Sequence, residues 1–291
     1  MARWEGKSKG TVAGYKIFVF FIRFAGVRSA YFILNFVAAY YFVFLKQSNR
    51  AIYYYFRKRL GYSAFKSRRM VFRSYYTFGQ TIIDKVAISS GLSDRFTFEF
   101  DGIEILQALL AEQQGAVLIS AHIGNFEIAE HFFGQLDLNF RINQVTTDLE
   151  HSAIKEYLES ISKKPSVRTI LIKEDLSHIF EINAALARAE LVCFTGDRFV
   201  EGTRHLTGNL LGEDAHFPAG PFLIASRLNV PVVFVYVMKQ SDTHYHLYAR
   251  RSQASRRDPE GVLEEYTKSL SAMLERYPLQ WFNYFDFWAK Q

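Results

Sequence analysis

Apolar and polar positions follow two different patterns along this chain of 291 residues. From Tyr15 to Leu45 the sequence is almost wholly apolar and aromatic, interrupted only by Lys16, Arg23, Arg28 and Asn35. Its inner part, Ser29 to Leu45, is 17 residues long and carries no charge, slightly short of the roughly 20 apolar residues of a spanning helix. The pattern predicts a helix that lies in, or dips into, one leaflet of a membrane. A buried aromatic helix of a soluble protein fits the same residues. A secretory signal does not, because the apolar run is too long and no small-residue cleavage site follows it.

From about residue 96 the pattern changes to short apolar or alternating runs separated by helical periods. Strands are expected at 96–100, 116–120, 140–145, 167–172, 191–195, 230–238 and 244–250. Helices are expected at 103–113, 126–135, 152–162, 176–188, 221–228 and 261–276, several closed by glycine or proline. Strands that alternate with helices predict an α/β fold with a mostly parallel central sheet flanked by helices. An amino-terminal, membrane-associated helical segment would precede it. The expected division is a basic, aromatic region over residues 1–84 and an α/β domain over residues 85–291.

Charge sharpens that division. The net charge of +6 is the sum of +13 over residues 1–84 and −7 over residues 85–291. Residues 46–73 hold nine Lys/Arg and no acid, interleaved with Tyr53, Tyr54, Tyr55, Phe56, Tyr62, Phe65 and Phe72. Such a stretch calls for an anionic surface, and beside an apolar helix the fitting surface is membrane headgroups. Aromatic and basic interleaving also suits single-stranded nucleic acid. That partner is set aside, because the adjoining apolar run needs lipid or a core. Basic residues after the apolar run place the body on the cytoplasmic side. The single cysteine, Cys193, excludes an internal disulfide, and its apolar surroundings make it a buried strand residue.

The chemistry centres on Leu118-Ile119-Ser120-Ala121-His122-Ile123-Gly124-Asn125-Phe126-Glu127. A buried strand ends at small residues, His122 follows, and Gly124-Asn125 signals a turn. The carboxyl end of a strand is where α/β folds place chemistry. Glu127, in the first turn of the next helix, is expected to hold one imidazole nitrogen and leave the other as a general base. A purely structural His/carboxylate pair fits the same spacing. Asp197 and Arg198 follow strand 191–195 at the same sheet edge, so they are expected to converge on the site, with Arg198 offering a planar fork to an anion. A surface salt bridge is the plainer reading of that pair. His131, His205 and His216 match no metal-ligand spacing, so no metal is expected. His151, His178, His244 and His246 read as surface or strand-face residues.

The ordered set of His122/Glu127, Gly196-Asp197-Arg198 and Phe217-Pro218-Ala219-Gly220-Pro221 resembles the lysophospholipid acyltransferase superfamily. Within it, the set is most similar to the bacterial lipid A biosynthesis (lauroyl/myristoyl) acyltransferases, marked by a His-x4-Asp/Glu box. Val230-Pro231-Val232-Val233-Phe234-Val235 and the closing Tyr277-Pro278-Leu279-Gln280-Trp281-Phe282 fit that branch as well. Val200-Glu201-Gly202-Thr203-Arg204 resembles instead a phosphate-gripping Pro-Glu-Gly-Thr-Arg box, with valine in place of proline.

The resemblance implies an acyltransferase in which His122 is the base and Glu127 its partner. Asp197, Arg198, Asn125, Arg204 and Gly220 would bind substrate. The acyl donor would be a thioester of acyl carrier protein or coenzyme A, used as co-substrate with no further cofactor. The acceptor would be a lipid such as a lipid A precursor, an amino-acid lipid or a polyene, met at the cytoplasmic face of the inner membrane. A non-catalytic, membrane-bound interaction protein on the same fold is the alternative.

Overall fold

A computed structural model of the chain describes residues 12–129, 131, 141–146, 167–173, 175–199 and 202–288. The amino-terminal third is helical: α1 (Val12–Phe44), α2 (Lys46–Tyr54), continued by a wider turn at Tyr55–Arg59, and α3 (Ala64–Ala87). Gly26 takes φ 78° and ψ 170° and breaks α1 into two helical pieces, a conformation open to glycine. The piece from Gly26 to Phe44 has 19 residues and a mean hydropathy of 1.4, long and apolar enough to cross a membrane. One face of it is nevertheless committed to protein. Val27, Ala30, Tyr31, Leu34 and Ala38 are buried, whereas Phe32, Phe36, Tyr40 and Phe44 are exposed at four-residue steps that recur on one helical flank.

The α/β part runs β1 (Thr97–Asp101), α4 (Ile103–Ala111), β2 (Ala116–Ser120), β3 (Ile142–Thr146), β4 (Val167–Leu171), α5 (Ser177–Ala187) and β5 (Leu191–Thr195). It continues with β6 (His205–Leu210), β7 (Glu213–Pro218), α6 (Ala219–Arg227), β8 (Val232–Lys239), β9 (His244–Arg251) and α7 (Pro259–Arg276). Seven strands form one sheet in the order β1-β9-β8-β2-β5-β3-β4. All neighbours are parallel except β8 and β9, so β1 and β9 run against the other five. The mostly parallel sheet read from the sequence is therefore present, as is the amino-terminal apolar helix. The expected helix at 152–162 lies outside the described residues. So does most of the one at 126–135, which begins as a single tight turn at Phe126–Ile128.

Inner strands are buried on both faces and read as apolar runs. Every residue of β2 and β8 is buried. Alternate residues feed two cores. Val117, Ile119, Val192, Phe194 and Tyr236 meet α6, α7, Trp281 and Trp288 on one face. Ala116, Leu118, Leu191, Cys193 and Val235 meet α1, α4 and the end of α3 on the other. The division drawn between residues 84 and 85 falls within α3, and helices of the first 84 residues contribute to both cores.

The tie between the amino-terminal helices and the sheet includes a buried ion pair. Asp84 of α3 accepts from Lys239 Nζ at 2.5 Å, at the end of β8. The same carboxylate accepts from the hydroxyls of Tyr31 and Tyr245.

Candidate active site

The site is built where β2 and β5 end side by side. Ser120 and Thr195 are register partners, and Gly196 N donates to Ser120 O at 2.9 Å. Beyond that point the two chains separate and leave His122 and Asp197 facing each other. His122 Nδ1 lies 2.7 Å from Asp197 Oδ1. The backbone N–H of His122 also donates to the same carboxylate, at 3.0 and 3.1 Å. A carboxylate only accepts, so Nδ1 carries the hydrogen, and in the neutral ring the lone pair sits on Nε2. The imidazole keeps 29% of its side-chain surface open to solvent, while Asp197 is wholly buried.

A buried carboxylate needs donors, and the carboxyl-terminal segment supplies them. Trp281 Nε1 donates to Asp197 Oδ2 at 3.1 Å, and Asn283 Nδ2 at 2.7 Å. Burial alone would raise the Asp197 pKa, but the His122 charge, its hydrogen bond, Arg198 and Trp281 outweigh that and hold it at about 2. Asp197 is therefore ionised throughout the neutral range.

Backbone stitching fixes the loop that carries His122. Phe282 N donates to His122 O at 2.9 Å, Gly124 N to Gln280 O at 2.9 Å, and Asn125 N to Val237 O at 2.8 Å. Ile123 and Trp281 form an isolated antiparallel bridge. Gly124 sits at φ +61°, where a Cβ would stand 2.1 Å from Val237 O, so no side chain fits there.

Several expected site residues take other places. Glu127 does not hold the imidazole nitrogen; Asp197 does. The turn at Gly124-Asn125 sends Glu127 towards α3, where it pairs with Lys85 and stays 53% exposed. Lys85 first, then the His122 charge, hold the Glu127 carboxyl below its ordinary range, so Glu127 is an electrostatic neighbour of the ring.

Asn125 is buried and donates to Thr81 O at 2.9 Å and to the Tyr245 hydroxyl at 3.4 Å, which makes it a brace of the loop. Arg198 does reach the site. Its Nε donates to Asn283 Oδ1 at 2.7 Å and its NH2 to Phe282 O at 2.9 Å, so it fastens the carboxyl-terminal segment over Asp197.

Arg204 and Gly220 are exposed at the base of the β6–β7 hairpin, where Ala219 N donates to Arg204 O at 3.0 Å. No hydrogen bond or ion pair among the described residues joins either to His122 or Asp197. Pro218 caps α6, as a helix-opening proline segment should, and the helix starts at Ala219, two residues before the expected start.

Cys193 is buried and its thiol is pushed well up by that burial, as befits a strand residue. His178 is buried, against expectation, and its Nδ1 lies 3.2 Å from Lys173 N. The rings of His205 and His216 lie 4.1 Å apart between centroids and are tilted by 53°, and no group of three or more metal-ligating side chains exists among the described residues.

Sequence reading did not foresee Trp281 and Asn283 as partners of Asp197. The available signal was the closing Gln280-Trp281-Phe282, noted only for its resemblance.

The fold and the site define a class: an α/β protein with an imidazole oriented by a buried carboxylate at the carboxyl end of adjacent parallel strands. Such an arrangement can act chemically as a proton acceptor. The family model described as "Bacterial lipid A biosynthesis acyltransferase" matches residues 8–288, nearly the whole chain, and the chain belongs to that family. A comparison with curated proteins found no match.

Proposed function

We propose that this protein transfers a fatty acyl group from an acyl thioester, carried by acyl carrier protein or coenzyme A, to a hydroxyl or amine of a lipid A precursor-like acceptor. The 2.7 Å contact between His122 Nδ1 and Asp197 Oδ1, in a chain of this family, is the observation that carries the reading. His122 Nε2 takes the proton of the acceptor as its oxygen or nitrogen bonds to the thioester carbonyl carbon. The tetrahedral adduct then collapses, the C–S bond breaks, and the imidazolium returns its proton to the departing thiolate. Asp197 holds the tautomer and stabilises the imidazolium, a role first assigned to Glu127. No covalent enzyme intermediate and no further cofactor enter this scheme.

The exposed aromatic flank of α1 and the basic stretch 46–73 support a place on the cytoplasmic face of the inner membrane, with one side of α1 docked on the body. Nucleic acid has no part in this reading.

The test is acyl transfer by purified protein, with carrier-protein and coenzyme A thioesters offered separately. His122→Ala should lose more than about a hundredfold in rate while its circular dichroism is unchanged. Normal turnover by that variant would refute the base assignment. Lipid mass spectrometry of cells with and without the gene would name the acceptor.

A further inference from the structure

The last turn of α1, α2 and α3 enclose a groove of about 270 Å³ that none of the residues holding His122 or Asp197 lines. Its walls are Phe42, Asn49, Arg50, Tyr53, Arg68 and Val71. The ring of Phe42 and the side chain of Val71 give it an apolar floor. Arg50 and Arg68 are exposed, and no hydrogen bond or ion pair among the described residues engages either guanidinium. Asn49 Nδ2 donates to Phe42 O at 2.5 Å, which leaves Asn49 Oδ1 buried with no donor. No acid lines the groove, and residues 46–83 contain none. Beside Phe42, residues Tyr40, Val43 and Phe44 are exposed at the same helix end.

These groups match one kind of molecule. Two unpaired guanidiniums, on side chains that line one cleft, suit a phosphodiester. A buried amide oxygen asks for a hydroxyl donor. The apolar floor and the adjoining aromatics suit acyl methylenes. We propose that the groove binds one anionic glycerophospholipid of the membrane. Its phosphate lies between Arg50 and Arg68, a headgroup hydroxyl donates to Asn49 Oδ1, and its first methylenes rest on Phe42 and Val71. The lipid is a bound structural ligand and not the acyl acceptor. The proposal rests on the membrane placement above and is independent of the His122 chemistry.

The probe is phosphatidylglycerol, added to the full chain and followed by native mass spectrometry, with co-sedimentation on phosphatidylcholine vesicles with and without phosphatidylglycerol. The wild-type chain should retain one phosphatidylglycerol. The Arg50→Gln/Arg68→Gln variant should lose it, whereas Arg69→Gln/Arg73→Gln, with the same loss of charge, should retain it. Vesicle affinity falls in both variants through weaker surface attraction, and by a further tenfold or so in the first. Asn49→Ala should weaken retention of phosphatidylglycerol without abolishing vesicle binding.

Equal losses in the two double variants would show a diffuse electrostatic surface and overturn the site. Displacement of the lipid by glycerol 3-phosphate alone, or by acyl carrier protein, would overturn it in favour of a free phosphate or a protein partner. If the wild-type chain ignores anionic vesicles altogether, the membrane placement fails with it. The experiment can be run in His122→Ala protein, so its outcome is separate from that of the catalytic test.

Discussion

Asn283 Nδ2 lies 2.7 Å from Asp197 Oδ2, and Asn283 Oδ1 accepts from Arg198 Nε at the same distance. One amide thus joins the two residues of the Asp-Arg pair. Among side chains, Oδ2 of the carboxylate takes Trp281 and Asn283 and Oδ1 takes the imidazole, while the His122 backbone N–H spans both oxygens. The site is therefore completed by a segment that follows the last helix.

Asn283→Ala removes a donor to a buried charge, an interaction worth about 1.5–3 kcal/mol. The expected result is a ten- to hundredfold fall in kcat, by that arithmetic, with KM little changed. Asn283→Asp should be worse, because a second carboxylate then faces Asp197. Steady-state kinetics on the three proteins decides this, and an Asn283→Ala enzyme of normal kcat would show that Trp281 suffices.

Asp197→Asn keeps the shape but loses the ionised acceptor for Nδ1–H. The amide can present its NH2 to the ring and stabilise the wrong tautomer, a defect of up to about 10⁴ in the serine-protease precedent. A loss of about 10³-fold or more in kcat is expected, with thioester affinity retained. A loss below tenfold would mean that the imidazole is oriented by something else.

The same residue predicts an acid limb in stability. Asp197 is held at about 2 against an ordinary value of 3.8. A depressed folded-state pKa gives stability that is present above the unfolded value and disappears as pH falls through the folded one. The unfolding free energy of the wild type from urea titrations should therefore drop between about pH 4 and pH 2, by an amount near 2 kcal/mol from this group. The gap between wild type and Asp197→Asn should narrow over that window. A gap that stays constant would contradict an ionised Asp197.

Glu127 gives the opposite contrast. Its carboxylate is exposed and paired with Lys85, so the pair itself is worth about 0–1 kcal/mol of stability. Glu127→Gln should leave the melting temperature nearly unchanged and slow turnover by about tenfold, through the lost field at His122. Its defect should be far smaller than that of Asp197→Asn. Kinetics that rank the two in reverse would restore Glu127 as the orienting group.

That contrast shows what a sequence can and cannot carry. Strands β2 and β5 were legible to the residue, because inner parallel strands are bare apolar runs cut off by small residues and glycine. The meeting of His122 with the Asp-Arg pair was legible too, since both follow strands at one sheet edge. Which carboxylate meets the ring was not. Local spacing favours Glu127, and only the tertiary turn at Gly124 turns it away. Helix α3 was expected only as part of a helical, membrane-associated region, and its mixture of aromatic and basic residues hid its bounds. The β6–β7 hairpin was hidden because its two-residue turn, Leu211-Gly212, puts a leucine at φ 52°, where turn chemistry leads one to expect asparagine or glycine. Trp281 and Asn283 lie in a segment with no period at all.

The pairing of Asp84 with Lys239 was equally invisible, because each sits at the end of an element where solvent is the default partner. In the structure both are buried, and two tyrosine hydroxyls complete the shell of the carboxylate. Burial pushes the Asp84 carboxyl up and the Lys239 ammonium down, and their mutual attraction opposes both shifts. Lys239→Met leaves a buried carboxylate with its two tyrosine hydroxyls but no countercharge, which costs about 3–5 kcal/mol. Asp84→Asn/Lys239→Met removes both charges, so most of that cost should be recovered. Because Asp84 and Tyr31 belong to the amino-terminal helices and Lys239 and Tyr245 to the sheet, the single variant should also loosen α1 and α3. Hydrogen exchange would then rise in residues 27–38 and 80–87 before it rises in β2. A Lys239→Met protein that unfolds as one unit, with no early exchange in those helices, would mean that apolar packing alone holds them to the sheet.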